Sequence, residues 1–204
     1  MPPLTRLFAA PALALGLALA APAPLLAGTS GPLISTAVDG ETLSAAKKTK
    51  AGLYITAEET IALLAERDDI VLIDVRTPEE TMFVGYATAT DMNIPFRLID
   101  PAHSFNADRN AYDTMANPAF IDDVKALIEA RNPATLMVMC RSGARSARAV
   151  DALVKAGIDI PSYSVIDGFE GDRDEEGART VNGWRNAGGD WTYAIRADLM
   201  PARQ

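Results

Sequence analysis

The sequence predicts an α/β domain with a mainly parallel central sheet and helices on both faces. Three observations lead there. The runs IVLIDV (70–75), TLMVMC (135–140) and SYSVI (162–166) are short and β-rich, and the first two are apolar almost throughout. That composition suits strands buried on both faces. Helical periodicity fills the stretches between them, and strands alternating with helices require crossover connections. Finally, 49% hydrophobic residues in a chain of 204 are enough for one substantial core.

Charge narrows the function classes. The formal net charge is −8, which argues against a general nucleic-acid binder, because phosphate recognition needs a basic face. Any small anion must be met by a local cluster of cations.

Taken from the N-terminus, Arg6 precedes a continuous apolar run, Leu7 to Ala20, with small residues at Ala18, Ala20 and Ala21. This pattern predicts a signal peptide over 1–27 and export, with the periplasm as the expected destination. The Gly/Ser/Thr/Lys composition of 28–50 predicts a flexible linker. The domain is expected over 51–195, followed by a C-terminal tail, 196–204.

Thr56 with Glu59 forms a capping-box pattern, and Ile61, Leu64 and Ala65 supply an apolar stripe, predicting a helix over 57–66. The strand 70–75 follows, bounded by Thr77-Pro78. A short strand is expected in 89–94, ending at Pro95. Asn117-Pro118 reads as an N-cap with Pro at the first helical position, and Phe120, Val124, Leu127 and Ile128 carry that helix to about Arg131. After the strand 135–140, Ala147, Val150, Leu153 and Val154 line one face of a helix that Gly157 stops. The segments 96–116 and 168–189 are longer and more polar than ordinary connections and predict excursions on one face.

Cys140, the only cysteine, stands where a buried strand ends and a loop turns into a helix. An exported protein that relied on disulfides would carry cysteines in pairs. Gly143 gives the loop backbone freedom, and Arg141, Arg145 and Arg148 surround it with positive charge. Loop N–H groups at a helix N-terminus, together with guanidinium groups, favour an ionised and nucleophilic sulfur. The thiol is expected to point outward from this loop.

The motifs CRSGARS (140–146), LIDVRTPEE (72–80), NIP (93–95), DGFEG (167–171) and GW (183–184) resemble those of the rhodanese, or sulfurtransferase, family over about residues 51–195. The resemblance implies a single rhodanese-like domain in which Cys140 takes sulfane sulfur from thiosulfate or a related donor and holds it as a persulfide. Arg141, Ser142, Gly143, Ala144 and Arg145 then form the substrate-binding loop, with Asp74 and Arg76 supporting it. The implied partners are a small sulfur-containing anion as donor and a thiol, cyanide or protein as sulfur acceptor. No cofactor and no metal are implied. The chain departs from many single-domain members at Gly85-Tyr86, where Gly-His is common.

Two alternatives differ in chemistry. A sulfur carrier or accessory binding module without turnover would present the same loop. A Cys-dependent phosphatase of the related cell-cycle type has five residues between Cys and Arg, whereas four separate Cys140 from Arg145, a ring better matched to sulfur than to a phosphoryl group. His103, the only histidine, reads as a solvated loop residue. Asp172 to Gly177 begins like a calcium loop but has Gly183 where the bidentate Glu belongs. Trp184, Trp191 and Tyr193 read as packing for the C-terminal segment.

Overall fold

A computed structural model describes residues 33–201. The expected signal peptide over 1–27 lies outside these residues. The strands are β1 (Tyr54–Ile55), β2 (Ile70–Asp74), β3 (Tyr86–Ala87), β4 (Met92–Asn93), β5 (Arg97–Ile99), β6 (Phe105–Asn106), β7 (Ala111–Tyr112), β8 (Thr114–Ala116), β9 (Thr135–Met139), β10 (Ser162–Val165) and β11 (Trp191–Thr192). The helices are α1 (Ala57–Glu66), α2 (Pro78–Val84), α3 (Phe120–Arg131) and α4 (Ala144–Lys155).

The central sheet has the order β1-β10-β9-β2-β4, and every pairing in it is parallel. The middle strand, β9, and its neighbour β2 run in register from Ile70 opposite Thr135 to Asp74 opposite Met139. Alternation along β2 splits the core into two layers. Val71 and Ile73 pack with Val124 and Leu127 of α3 and Val150 and Leu153 of α4. Ile70 and Leu72 pack with Met137, Phe169 and Trp184 on the other face. The sheet is thus covered on both sides, as the apolar strand runs require.

The capping box at α1 forms as expected: Thr56 accepts from the Glu59 N–H, and Glu59 accepts from the Thr56 N–H. The same device starts α2 at Thr77 and Glu80, with Pro78 in the first turn. In the sequence Thr77-Pro78 marks only the boundary of the preceding strand.

Other expectations are corrected. The third helix begins at Phe120, and Asn117 does not cap it; its side chain accepts from the Ala119 N–H and donates to the Pro95 carbonyl, shaping the preceding turn. Val154 is 44% exposed and lies off the buried face of α4, where Ser146 and Ala149 pack instead. From residue 33 the expected linker is laid against the domain: the Ile34 N–H donates to the Tyr163 hydroxyl, Ala37 N–H to Glu59, and Lys50 N–H to Asp151, and Lys47 pairs with Asp172 at 2.8 Å. At the other end Leu199 is buried, and Arg196 donates to the carbonyls of Thr88 and Thr90.

The excursion 96–116 is a two-tiered antiparallel hairpin. β5 pairs with β8 at its base and β6 with β7 toward its tip, and we refer to it as the arm. The excursion 168–189 is mostly irregular and leads into β11, which pairs antiparallel with β3.

Candidate active site

Parallel sheets gather reactive groups at the carboxyl ends of their strands. Cys140 directly follows β9, and Asp74 ends the neighbouring β2. Beyond Cys140 the chain must reverse into α4 within three residues. It does so through Gly143 at φ +99°, where an added Cβ would lie 2.1 Å from the Ile166 carbonyl oxygen. Gly168 seals the other side of the turn, since a Cβ there would come within 2.4 Å of the Cys140 carbonyl oxygen. The N–H groups of Phe169, Glu170 and Gly171 donate to the carbonyls of Cys140, Arg141 and Arg141 respectively, which fixes the loop from outside.

Within this frame the Gly143 N–H donates to Cys140 Sγ at 3.2 Å. Ser146 Oγ lies 3.6 Å from the same sulfur and donates to the Gly143 carbonyl at 2.7 Å, and it accepts from Ser164 Oγ at 3.1 Å. Ser146 is a site residue that the sequence reading passed over, although it closes the quoted motif. The expectation of an outward-pointing thiol is corrected: Cys140 is only 2% exposed, because its side chain belongs to the apolar layer shared with Val138, Val150 and Ile73.

The charges around the loop are largely paired. Arg145 donates to both oxygens of Glu80 at 2.6 Å each. Burial opposes the charge on Arg145, but the hydrogen bonds and attraction of Glu80, with smaller contributions from Cys140 and Asp74, hold its guanidinium above the ordinary arginine range. Burial likewise pushes Glu80 upward, and Arg145 together with the Thr77 N–H outweighs it and holds the carboxyl below its usual range. Arg141 pairs with Glu170 at 2.8 Å, and Glu170 also neighbours Arg179 at 4.0 Å. Neither loop arginine is therefore a free anion receptor, as the spacing alone had suggested.

Asp74 and Arg76 are both fully buried. Arg76 donates through its backbone N–H, Nε and Nη2 to the Asp74 carboxylate, and Nη2 also reaches the Gly85 carbonyl. Its guanidinium lies 4.1 Å from the centre of the Phe169 ring. Asn93 Nδ2 donates to the carbonyls of both Asp74 and Arg76. This knot joins the ends of β2 and β4 to the Phe169 segment that pins the sulfur loop.

The arm stands beside the loop, and the two, with Thr77 and Glu80 at the start of α2, line an open cavity of about 580 Å³. Arg97, Arg109 and Tyr112 line it from the arm, and Arg141, Arg145 and Arg148 line it from the loop and α4. Ser142 and Ala144 complete the loop, Ala144 as the first residue of α4.

A model of the rhodanese-like domain matches residues 56–174, more than half of the chain, and that span holds Cys140, its loop and the Asp74–Arg76 pair. The chain belongs to the rhodanese-like domain family. Membership supports sulfur-transfer chemistry in general. Relatives of this rhodanese domain include the "Uncharacterized protein RC0915" of Rickettsia conorii, 27% identical over 63% of this chain and 92% of that protein. Among solved structures, Rv0390 from M. tuberculosis is 31% identical over 69% of this chain and 96% of that one, with a TM-score of 0.49. A thiosulfate sulfurtransferase from Pseudomonas aeruginosa is 21% identical over 75% of this chain and 22% of that one, with a TM-score of 0.45.

The remaining side chains weighed in the sequence fall outside the sulfur site. His103 is exposed on the arm with its ring 5.8 Å from that of Tyr112. Asp172 is engaged by Lys47, and Asp174 accepts from Ala178 and Thr180. Among the described residues no group of three or more His, Cys, Asp or Glu side chains could hold a metal ion. Trp184 is buried with its Nε1 donating to the Asp190 carbonyl, and Trp191 meets Phe169 and Tyr193 edge-on. Tyr86, at the position where histidine is common in the family, is buried and donates to the Ala194 carbonyl.

Proposed function

We propose that this rhodanese domain carries sulfane sulfur on Cys140 and hands it to a thiophilic acceptor, either a thiol or a partner protein. One observation carries the reading: a single thiol is buried to 2% exposure, yet its sulfur accepts the Gly143 N–H in a loop ringed by guanidinium groups. A persulfide formed there is largely screened from bulk solvent, which slows exchange and favours storage and directed transfer over rapid turnover of free donors. Loading from thiosulfate balances simply. The sulfur of Cys140 bonds to the outer sulfur of thiosulfate, the donor S–S bond breaks, its electron pair leaves with sulfite, and the thiol proton ends on the persulfide.

Continuous thiosulfate sulfurtransferase activity is the second reading, and the arginine-lined cavity beside the loop favours it. Comparing the two rates separates the readings. A carrier loads one sulfur per chain and then shows slow thiosulfate-dependent conversion of cyanide. An enzyme sustains that conversion at a rate matching its loading step. Failure to load at all rejects both.

We further propose that the chain is exported to the periplasm. The support is the Arg6 and Leu7 to Ala20 pattern.

A further inference from the structure

A separate pocket opens within the 168–189 excursion. It holds about 320 Å³ and is lined by Glu170, Ala178, Arg179, Thr180, Arg185 and Asn186. It shares no lining residue with the cavity under the arm, and the Arg141–Glu170 pair spans from one to the other. Cations outnumber carboxylates here, on a molecule whose net charge is −8. Glu170, the only carboxylate in the lining, is paired with Arg141 at 2.8 Å. Arg179 donates through Nη1 to the Gly171 carbonyl, but its Nε stands 4.0 Å from Glu170, beyond hydrogen-bond reach, and is buried with no partner among the described residues. Burial, together with the like charge of Arg141 and Arg173, pushes this guanidinium below the ordinary arginine range. Arg185 is exposed and lies over the Trp191 ring, 4.3 Å from its centre. Among the described residues its side chain makes no hydrogen bond and no ion pair.

We propose that this pocket binds a small dianionic oxyanion of the sulfate type, received by Arg185 and Arg179. The Trp191 ring holds the Arg185 guanidinium in place by its face, which leaves the N–H groups on its edge free to donate. A doubly charged oxyanion accepts from two guanidinium groups at once and relieves the repulsion among Arg141, Arg173 and Arg179. Glu170 opposes the ion, and Arg141 offsets that charge. The Thr180 hydroxyl is engaged by Asp174, and the Asn186 amide by the carbonyls of Glu170, Arg179 and Asn182, so the guanidinium groups carry the binding. The pocket is larger than such an ion and leaves room for bridging waters. None of this depends on sulfur reaching Cys140.

The test is titration of the full chain with sodium sulfate at constant ionic strength, balanced with chloride, followed by calorimetry and by tryptophan fluorescence, to which Trp191 contributes. The expected result is saturable binding of sulfate and roughly tenfold or more weaker binding of methyl sulfate, its singly charged ester. Arg185→Gln and Arg179→Gln should each weaken sulfate by roughly tenfold to a hundredfold, the scale of one charge-assisted contact. Arg185 is exposed, so the melting temperature of Arg185→Gln should match wild type. Arg148→Gln, in the cavity under the arm, should bind sulfate as wild type does, which separates this pocket from the sulfur site. Absence of saturable binding, equal affinity for methyl sulfate, full affinity in Arg185→Gln, or a loss in Arg148→Gln as large as that in Arg185→Gln would overturn the proposal.

Discussion

Arg145 of the sulfur loop is locked to Glu80, 65 residues away, by two hydrogen bonds of 2.6 Å. Glu80 is at the same time the capping-box residue of α2, accepting from the Thr77 N–H at 3.0 Å. One carboxylate therefore ties the start of α2 to the start of α4. The loop, pinned on one side by the Phe169 to Gly171 backbone, is held on the other by a charge pair whose two side chains are each 22% exposed.

This pair gives the first prediction, a pH dependence. The folded-state value of Glu80 is depressed below its ordinary value of 4.5, so its contribution is fully present above that value and is lost as pH falls through the lower folded one. Glu80→Gln should cost about 1 to 3 kcal/mol at neutral pH. The gap between wild type and variant should close as the pH drops below the ordinary glutamate range. Urea unfolding of both proteins across that range is the check, and a constant gap would remove Glu80 as its cause.

Asp74→Ala leaves the Arg76 guanidinium fully buried without its counter-ion. Removing one partner of a buried pair costs on the order of 3 to 5 kcal/mol, so this variant should be among the least stable single substitutions in the domain. Denaturant midpoints of Asp74→Ala and of an exposed control, Asp198→Ala, make the comparison. A loss under about 1 kcal/mol, the worth of an exposed pair, would contradict the role assigned to this knot.

Ser146→Ala tests whether the hydroxyl under the sulfur shapes reactivity. It removes the bond to the Gly143 carbonyl, the acceptor of the buried Ser164 hydroxyl and the neighbour 3.6 Å from Cys140 Sγ, so a thermal melt of the variant accompanies the kinetics. Cys140 alkylation and sulfur loading should each slow by about two- to tenfold, the scale of one neutral hydrogen bond. Unchanged rates of both would reduce Ser146 to packing.

The export proposal has its own check. Protein recovered from the cell envelope should begin between residues 21 and 28 when sequenced from its N-terminus. Recovery only from the cytosol with Met1 or Pro2 intact would contradict it.

What could be read from the sequence was local. The Thr56/Glu59 capping box, the apolar strands β2 and β9, and the passage from β9 through Cys140 into α4 each declare themselves within about a dozen residues, where periodicity and turn chemistry act. The Glu80 grip on Arg145 could not be seen, because it joins residues brought together only by the sheet order. The arm was legible as an unusual segment but not as a hairpin, since strands of two or three residues such as β6 and β7 carry no measurable alternation. Cys140 was misjudged for a related reason. A strand-to-helix loop fixes where the backbone turns, but the depth of the thiol follows from Val138, Val150 and Ile73 packing around it from three separate elements.

The account stands on sulfur reaching Cys140, and intact mass measurement tests that most directly. Wild-type protein and Cys140→Ser are incubated with thiosulfate, freed of excess donor and weighed. The prediction is a gain of one sulfur atom on wild type, reversed by a thiol or cyanide, and none on Cys140→Ser, with both variants equally folded. A folded wild-type protein that gains no sulfur from thiosulfate or from an organic persulfide, or a Cys140→Ser protein that gains as much as wild type, would contradict it.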